Sequence, residues 1–306
     1  MKDYSIYKPI GQYRFAKLNN IKLAASLRRI GYERWYDVQR CAEVMQVKYC
    51  PVCGQMHADV PMVCRHRLCP VCALRRSRKV GAQALEAFAH MRDAGQLDGA
   101  RLLLLTLTQR NVCRDELGGE IDKLLAALTS MRKVRSVSRT LIGSARNIEI
   151  TYNAEADTFH PHVHMIVILS AEADDDMMYS QYWRDLWRRL MKLDYDPICD
   201  IRPITDDQGA VCEVSKYCIK PGSIFGLELS DAVFDNVIQA ITAALAGRHL
   251  IAYTGIWKKM RAQLKQKEPD DDLEHDDTSD VCGCGAGLMD ALLRWNGLEY
   301  VPEIRK

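Results

Sequence analysis

The chain is 306 residues long with a mass of 34.8 kDa, enough for one large domain or two ordinary ones. Apolar residues make up 48% and charged residues 27%, which is typical of a globular protein. No apolar run approaches the ~20 residues that span a bilayer, so the sequence excludes a transmembrane protein. The polar N-terminus predicts no secretory signal, and we therefore expect a cytoplasmic protein with no membrane partner.

The net charge of +2 conceals an uneven distribution along the chain. Residues 1–80 carry 16 Lys/Arg against 5 Asp/Glu, a balance of +11, and the remainder carries 26 against 35, a balance of −9. A basic first quarter is typical of a protein that contacts a polyanion such as nucleic acid. Solubility alone would explain this charge equally well.

The predicted elements begin with a helical, mixed-charge segment over residues 19–46. Further helices are predicted over 75–95, 116–132, 177–191, 211–220, 231–246 and 256–266. Strands are predicted over 102–108, 146–153, 159–169, 197–204 and 248–255. This order of helices and strands predicts an α+β fold, with a central antiparallel sheet and flanking helices, plus a small zinc-binding unit near the N-terminus.

Composition divides the chain into five predicted regions. They are a helical lead-in (1–47), a zinc-ribbon-like unit with a basic helix (48–95), a main domain (96–266), an acidic linker (267–285) and a C-terminal amphipathic segment (286–306). Glu268–Asp280 holds eight acidic residues in thirteen, which is typical of a solvated linker. The C-terminal segment is expected to dock on the body or to bind a partner.

Cysteine usage indicates a metal site. The chain has 12 cysteines, and five of them fall between residues 50 and 72. In a reducing compartment such clustering favours metal binding over disulfides. Cys50-Pro-Val-Cys53 and Cys69-Pro-Val-Cys72 form two knuckles, and zinc prefers four soft ligands in a tetrahedron. We predict one structural zinc on these four thiolates, with free thiols in a small core as the alternative.

The ligand set stays open, because Cys64, His57 and His66 lie between the two knuckles and are rival ligands. A further pair near the C-terminus, Cys282 and Cys284, is predicted to form no site.

Basic residues surround and follow the second knuckle. They are Arg65, Arg67, Arg75, Arg76, Arg78 and Lys79. A zinc unit that holds a basic helix suits contact with phosphates, so we favour DNA binding by these residues over a merely solvated helix face.

A pair of histidines, His162 and His164, lies on an apolar predicted strand. Strand alternation places both imidazoles on one face and Val163 on the other. Two imidazoles side by side can occupy two positions of a metal ion. His160 has the same parity and is a reserve ligand.

An acidic residue is predicted to join this pair across a hairpin. If the turn centres near residues 155–156, Glu149 faces His162 and Asn147 faces His164. One carboxylate and two imidazoles then converge and leave open positions for a substrate phosphate, which is a catalytic arrangement. A register slip of one residue would turn Glu149 to the other face.

A second candidate group lies in the segment EVSKYCIKP. Glu213 and Tyr217 are at i, i+4, and Lys220 is three residues after Tyr217, so a helix would present all three on one face. A tyrosine oxygen can attack a phosphodiester, Lys220 could stabilise the phenolate, and Glu213 could act as general base for water. Read alone, the segment would be an ordinary surface helix; beside the histidine strand, catalysis is favoured.

Together, these motifs resemble a known family. CRHRLCPVCALRRSRK, LTLT, EITYN…FHPHVHMIVIL, EVSKYCIKP and ALAGRHLIAYTGIWKKM resemble the rolling-circle plasmid replication initiators of the HUH endonuclease superfamily. The resemblance is to the group with a single catalytic tyrosine and a glutamate four residues before it, and it covers roughly residues 60–280.

The resemblance implies metal-dependent nicking of one strand at a double-stranded origin, through a 5′-phosphotyrosine link. It implies that His162 and His164 bind Mg²⁺ or Mn²⁺, that Tyr217 is the nucleophile and that Glu213 activates water at termination. It also implies histidines on a middle strand of an antiparallel sheet, and a host helicase as partner. Glu149 as third metal ligand rests on the hairpin register instead.

Two other readings remain at this point. An HUH transposase or mobilisation relaxase shares the chemistry, although a nucleophile that follows the histidines favours initiators and some transposases over transfer relaxases. A non-catalytic zinc regulator would bind DNA through residues 48–80 and would not need Tyr217. The origin sequence and the oligomeric state are not readable from these residues.

Overall fold

The structure, a computed structural model, describes residues 8–60, 62–204, 209, 224–267 and 280–303. The chain divides into two compact units, the first formed by Met1–Arg76 with Asp272–Lys306 and the second by Ser77–Asp271. Among the described residues, no helix has both the length and the apolar character needed to cross a bilayer.

Helices and strands alternate irregularly along the described chain. The helices are α1 (Lys8–Arg29), α2 (Trp35–Arg40), α3 (Pro70–Asp93), α4 (Leu117–Met131), α5 (Arg135–Thr140), α6 (Ser180–Met191), α7 (Asp231–Leu245) and α8 (Gly255–Gln263). The strands are β1 (Val44–Tyr49), β2 (Met56–Asp59), β3 (Arg101–Leu107), β4 (Leu141–Asn153), β5 (Thr158–Leu169), β6 (Cys199–Pro203), β7 (Ile251–Thr254), β8 (Met289–Trp295) and β9 (Tyr300–Pro302).

The first unit contains a four-stranded antiparallel sheet in the order β2-β1-β8-β9. The predicted helical lead-in therefore ends early, because β1 starts at Val44, and its alternation buries Met45 and Val47 while Gln46 stays exposed. The predicted C-terminal amphipathic segment docks on this sheet as the strands β8 and β9. Backbone pairing of β8 with β1 extends a sheet whose first strand lies more than two hundred residues earlier in the sequence.

The second unit contains a five-stranded antiparallel sheet in the order β6-β3-β5-β4-β7. The predicted α+β class, with its central antiparallel sheet, is confirmed. The histidine strand, β5, lies in the middle of the sheet, as the family resemblance implied. α4 packs against β5, and α6 and α7 pack against α4.

One face of this sheet carries both core and site. Ile168 and Ile166 pack with Ala145 under α3 and α8, where Phe88 and Trp257 lie at a ring-centroid distance of 5.6 Å. Strand alternation puts His164 and His162 on the same face of β5, further toward the hairpin turn. The packed helices therefore hold rigid the strand that carries the histidines.

Candidate active site

The turn between β4 and β5 fixes the register of the site. Oδ1 of Asn153 accepts hydrogen bonds from the backbone N–H groups of Glu155 (3.0 Å) and Ala156 (3.2 Å). Asp157 adopts a φ of 48°, in the left-handed region that aspartate tolerates better than most residues. The predicted turn near residues 155–156 is confirmed, and it closes a long hairpin without a shift beside the site.

The register is the one that the sequence predicted. Glu149 pairs with His162, and Asn147 pairs with His164. On the other side of β5, Thr106 of β3 pairs with His164. The carboxylate and both imidazoles therefore lie on neighbouring central strands.

Glu149, His162 and His164 form a compact group. Oε2 of Glu149 lies 3.2 Å from Nε2 of His164 and 3.6 Å from Nε2 of His162. The ligand atoms all lie within 4.8 Å of one another, and the two rings meet edge to face at 5.0 Å. Glu149 is 0% exposed and His162 is 7% exposed. A buried carboxylate between two imidazoles is a group that could hold a metal ion.

Hydrogen bonds at the far ring nitrogens orient the two histidines. Nδ1 of His162 lies 3.2 Å from the carbonyl oxygen of His160, and because a carbonyl only accepts, this bond requires a proton on Nδ1. The Nε2 lone pair of His162 is then free to bind a metal. Oγ1 of Thr106 lies 3.2 Å from Nδ1 of His164 and can accept from it in the same way.

His160, the reserve ligand, lies beside this group and outside it. Its Nδ1 donates to Oδ1 of Asn111 (3.0 Å), and its ring lies tilted by 31° against the ring of His162 at a centroid distance of 5.3 Å. Burial, and then the neighbouring His162, lower the pKa of His160. The neutral form is thereby favoured.

The donor set fits a divalent cation that accepts nitrogen as well as oxygen. Two imidazoles and one carboxylate occupy one side of a coordination sphere and leave the other positions to oxygen ligands. Mg²⁺ prefers an all-oxygen set, whereas Mn²⁺ lies closer to the metals that imidazole suits. Of the two predicted metals, Mn²⁺ is the better match.

The second predicted catalytic group, Glu213, Tyr217 and Lys220, lies outside the described residues. Its segment follows the edge strand β6 and precedes α7. In β6, Asp200 pairs with Thr106, which in turn pairs with His164.

The predicted zinc ligand set needs correction, because its four cysteines do not meet. Two separate groups form instead: Cys41, Cys64, Cys69 and Cys72, and Cys50, Cys53, Cys282 and Cys284. The rival ligand Cys64 joins the second knuckle. The first knuckle joins the C-terminal pair that the sequence predicted to form no site. These two groups are called the buried cysteine cluster and the surface cysteine cluster.

All four thiols of the buried cysteine cluster are buried. The Sγ atoms of Cys41, Cys64 and Cys69 each lie 3.6 Å from another thiol of the cluster. Cys41 was missed by the sequence analysis because it is a lone cysteine after α2, with no knuckle to mark it. Burial raises the pKa of the Cys69 thiol, so the cluster needs a cation to hold it as thiolates.

A buried lysine lies next to this cluster. Nζ of Lys17 donates to the carbonyl oxygens of Gln39 and Cys41, at 2.6 Å each, and the residue is 2% exposed. Burial lowers its pKa, and the charge of the Cys41 thiol opposes this shift. Zinc bound by four thiolates is doubly negative, so a lysine ammonium here would offset that charge.

Of the two rival histidines, His66 is not part of the group of ligand atoms that forms the buried cysteine cluster. The side chain of His57 lies outside the described part of the chain. The His66 ring packs edge-on against Tyr32 at 5.1 Å, and burial lowers its pKa to about 4. His57 pairs through its backbone with Lys48 across β1 and β2.

Two of the six predicted DNA-contacting residues need correction. Arg75 and Arg76 are 5% and 3% exposed, and Nη1 of Arg75 donates to the carbonyl oxygen of Val60 (2.6 Å). They face inward on α3 because the helix packs this side against the protein. Arg65 and Arg78 are exposed, and Arg67 and Lys79 are half-buried, so burial does not contradict the prediction for these four.

A basic pocket in the first unit adds residues that the sequence analysis did not mark. It has a volume of about 520 Å³, and Arg34, Arg40 and Arg65 line it with Tyr36. Arg34 and Arg40 form exposed ion pairs with Asp37 and Glu43 at 2.9 and 3.1 Å. Such exposed pairs contribute little to stability.

Comparison with known proteins gives one consistent result. The family model described as "Replication protein" (Rep_1) matches residues 55–299. "Protein rep" of Bacillus sp. is 31% identical over 251 residues, which are 76% of this chain and 80% of that protein. "Protein rep" of Lentilactobacillus hilgardii is 28% identical over 295 residues, or 92% and 91% of the two chains.

A third relative, "Protein rep" of Bacillus amyloliquefaciens, is 32% identical over 247 residues, or 74% of this chain and 72% of its own length. No solved structure matches this chain. The family match covers the second knuckle, Cys69-Pro-Val-Cys72, and the histidine hairpin, whereas Cys50 and Cys53 precede it. The chain therefore belongs to the Rep_1 family of replication proteins, and the predicted resemblance to plasmid replication initiators is confirmed.

Proposed function

We propose that this replication protein starts rolling-circle replication of a plasmid by nicking one strand at the double-stranded origin. The observation that carries the proposal is the group of Glu149, His162 and His164 on the central strands of an antiparallel sheet. Family membership supports the role in plasmid replication, and the motif order of the sequence supports the HUH chemistry. The proposed place of action is the cytoplasm, where a plasmid replicates.

Glu149, His162 and His164 are the proposed ligands of the catalytic metal ion. They would hold a divalent cation, Mn²⁺ or Mg²⁺, which when bound would withdraw charge from the oxygens of the scissile phosphate. The carbonyl of His160 and the hydroxyl of Thr106 keep both Nε2 lone pairs directed at the ion. Burial of Glu149 excludes water that would compete with the substrate phosphate.

Tyr217 is the proposed nucleophile. Its phenol oxygen attacks the phosphorus and releases its proton to solvent, while Lys220 stabilises the phenolate. The bond from phosphorus to the 3′ oxygen breaks, and that oxygen takes up a proton and leaves as the 3′ hydroxyl. The 5′ end stays on Tyr217 as a phosphotyrosine, and the free 3′ end primes synthesis by the host machinery, including a helicase.

Glu213 is proposed to act at termination. Its carboxylate takes a proton from water, the oxygen of that water attacks the phosphotyrosine, and the bond to the Tyr217 oxygen breaks as that oxygen takes up a proton. The products are a free 5′ phosphate and a regenerated tyrosine. A residue one helical turn from the nucleophile, as the i, i+4 spacing would place it, suits this role.

A structural zinc ion on the buried cysteine cluster completes the proposal. Four thiolates leave no open position, so this zinc supports the fold and does not react. It holds the start of α3 beside the exposed Arg65, where the basic pocket offers Arg34 and Arg40 as further phosphate contacts. DNA binding and DNA cleavage are thereby assigned to different parts of the chain.

The test is a cleavage assay with the Tyr217→Phe variant. Supercoiled DNA of the replicon that encodes the chain is incubated with protein and Mn²⁺, and the products are separated under denaturing conditions. We expect the variant to bind DNA normally, to form no covalent adduct, and to nick at least ~10³-fold more slowly. Tyr179→Phe, which changes an exposed tyrosine at the start of α6, is the matched control and should behave as wild type.

Two outcomes would decide against the proposal. Adduct formation by Tyr217→Phe at the wild-type level would remove Tyr217 from the mechanism. Replication in cells supported equally by wild type and Tyr217→Phe would favour a non-catalytic DNA-binding regulator. Mass spectrometry of the peptide joined to DNA identifies the residue and the polarity, and Glu213→Ala should still nick but retain its adduct longer than wild type does.

A further inference from the structure

Two loops of the first unit are built in the same way. In the loop after β1, the N–H of Cys50 donates to the carbonyl of Gln55 (2.8 Å), and the N–H of Gly54 donates to the carbonyl of Cys50 (3.0 Å). In the loop before β8, the N–H of Cys282 donates to the carbonyl of Ala286 (2.8 Å).

The second loop also has the other features of the first. The N–H of Gly285 donates to the carbonyl of Cys282 (2.8 Å), as Gly54 does to Cys50. Gly54 and Gly285 have φ values of 74° and 85°, where glycine is favoured. Each loop therefore turns two cysteine side chains to one side, which is the shape that a thiolate metal site uses.

The sheet brings these loops together. Tyr49, the last residue of β1, pairs with Met289, the first residue of β8. The loop after β1 and the loop before β8 therefore lie at the same end of neighbouring strands. Lys48 of β1 also forms an ion pair with Asp280, just before the second loop.

The four sulfur atoms have the spacing of ligands. Sγ of Cys50 lies 3.5 Å from Sγ of Cys284, and Sγ of Cys53 lies 3.4 Å from Sγ of Cys282. A disulfide would need about 2.05 Å. Thiolates around zinc at ~2.3 Å stand ~3.8 Å apart along a tetrahedral edge, which is near the observed spacing.

One hydrogen bond inside the cluster has a sulfur atom as its acceptor. The N–H of Cys53 donates to Sγ of Cys50 at 3.4 Å, an arrangement that also suits a metal-bound thiolate. Sγ of Cys282 lies 3.2 Å from Oε1 of Gln55, within the first loop.

We propose that the surface cysteine cluster is a second structural zinc site, which fastens the C-terminal strands to the N-terminal sheet. Four thiols release four protons as Cys50, Cys53, Cys282 and Cys284 bind one Zn²⁺. The shared zinc ion would link Cys53 to Cys282, which lie 229 residues apart in the sequence. A link across so long a loop removes much conformational freedom from the unfolded chain.

The two zinc sites differ in access. Cys53 and Cys284 are exposed, whereas every thiol of the buried cysteine cluster is buried. A thiol reagent reaches the surface cysteine cluster first, so zinc leaves the chain in two phases. The surface cysteine cluster thus binds the more labile zinc ion. Loss of that ion frees β8 and β9 before the buried cysteine cluster loses its own.

The experiment counts zinc in the full chain and locates it. Metal analysis of the purified protein should give about two zinc ions per chain, and Cys282→Ser with Cys284→Ser should retain about one. Cys113→Ser, which changes an exposed cysteine outside both clusters, is the matched control and should keep both ions. Cobalt loaded in place of zinc should give tetrahedral thiolate bands that fall by half in the double variant.

A second measurement, made on wild-type protein, tests the proposal even if the double variant does not fold. Wild-type protein is titrated with an organomercurial while a dye reports released zinc, and mass spectrometry maps the modified cysteines. We expect the first zinc to leave as Cys53 and Cys284 react, before Cys41 or Cys72. One zinc in wild type, equal zinc content in wild type and double variant, or disulfides among the four residues of the surface cysteine cluster in the protein as purified would overturn the proposal.

Discussion

The histidine group and the buried cysteine cluster are both sets of metal-binding side chains, but the fold assembles them differently. Glu149, His162 and His164 lie on one hairpin, and backbone pairing brings their ligand atoms together. Cys41 and Cys64 lie in loops, whereas Cys69 directly precedes α3 and Cys72 lies in its first turn. The sheet therefore builds the histidine group by itself, whereas the buried cysteine cluster depends on what joins its loops.

This difference predicts different consequences of losing the metal. A site that is held by ladder hydrogen bonds keeps its shape without an ion, because the sheet pays the cost of ordering the ligands. Loops that meet through four thiols lose their main connection when the ion leaves. Metal removal should abolish DNA cleavage by the second unit without unfolding it, but it should unfold parts of the first unit.

The largest effect is expected from Cys72→Ser, which removes one ligand of the buried cysteine cluster. Structural zinc contributes apparent free energies of ~10–16 kcal/mol in small domains, so most of the stability of the first unit should be lost. Hydrogen exchange should then show loss of protection in β1 while β5 remains protected. Cys199→Ala, at a buried cysteine of β6 outside both clusters, is the control, and intact protection of β1 in Cys72→Ser would contradict the comparison.

A smaller effect is expected from Gly255→Ala. This substitution tests the second unit, whose fold is stabilised by packing and not by a metal ion. Gly255 opens α8 with a φ of 58°, and an added Cβ would lie 2.0 Å from the carbonyl oxygen of Ile142. We expect a loss of about 3 kcal/mol in the free energy of unfolding, whether or not metal is present. Denaturant unfolding with and without Mn²⁺ measures it.

The control for this change is a glycine with free space around it. Gly119 is exposed within α4, and no atom lies within 4 Å of an added Cβ. Gly119→Ala should stabilise the protein by about 0.5–1 kcal/mol. Equal destabilisation by both substitutions would mean that close packing at Gly255 is not the cause.

The smallest effect on folding is expected from Glu149→Gln. The amide preserves the size of the side chain but removes the charge, so Mn²⁺ affinity should fall about 10–100-fold while the unfolding midpoint changes little. Calorimetric titration with Mn²⁺ measures the affinity. Glu155→Gln in the hairpin turn is the matched control, and unchanged affinity in Glu149→Gln would exclude this carboxylate as a ligand.

The histidine site was predictable because it is local. The apolar alternation of β4 and β5 and the short turn between them determine which residues face each other, and Glu149 met His162 as expected. The cysteine sites were not predictable, because a cysteine knuckle can share a zinc ion with any other pair of cysteines in the chain. Whether Cys53 lies near Cys72 or Cys282 depends on the pairing of β1 with β8, which no local pattern encodes.

The burial of Arg75 and Arg76 was missed for a related reason. A run of basic residues at a helix start indicates charge but not direction, and only the packing around α3 decides which side faces solvent. The lysine beside Cys41 was missed in the same way. Buried charges of this kind are invisible in a sequence until their partners are known.

The pairing of β1 with β8 also sets an order of events during synthesis. A ribosome completes the described strands of the histidine-bearing sheet by Thr254, and it delivers Met289–Trp295 only afterwards. Strand β1 must wait for that neighbour with one edge unpaired. Nascent chains therefore finish the sheet of the proposed nicking site before the sheet at their own beginning, and a chain cut short before Met289 would have the former without the latter.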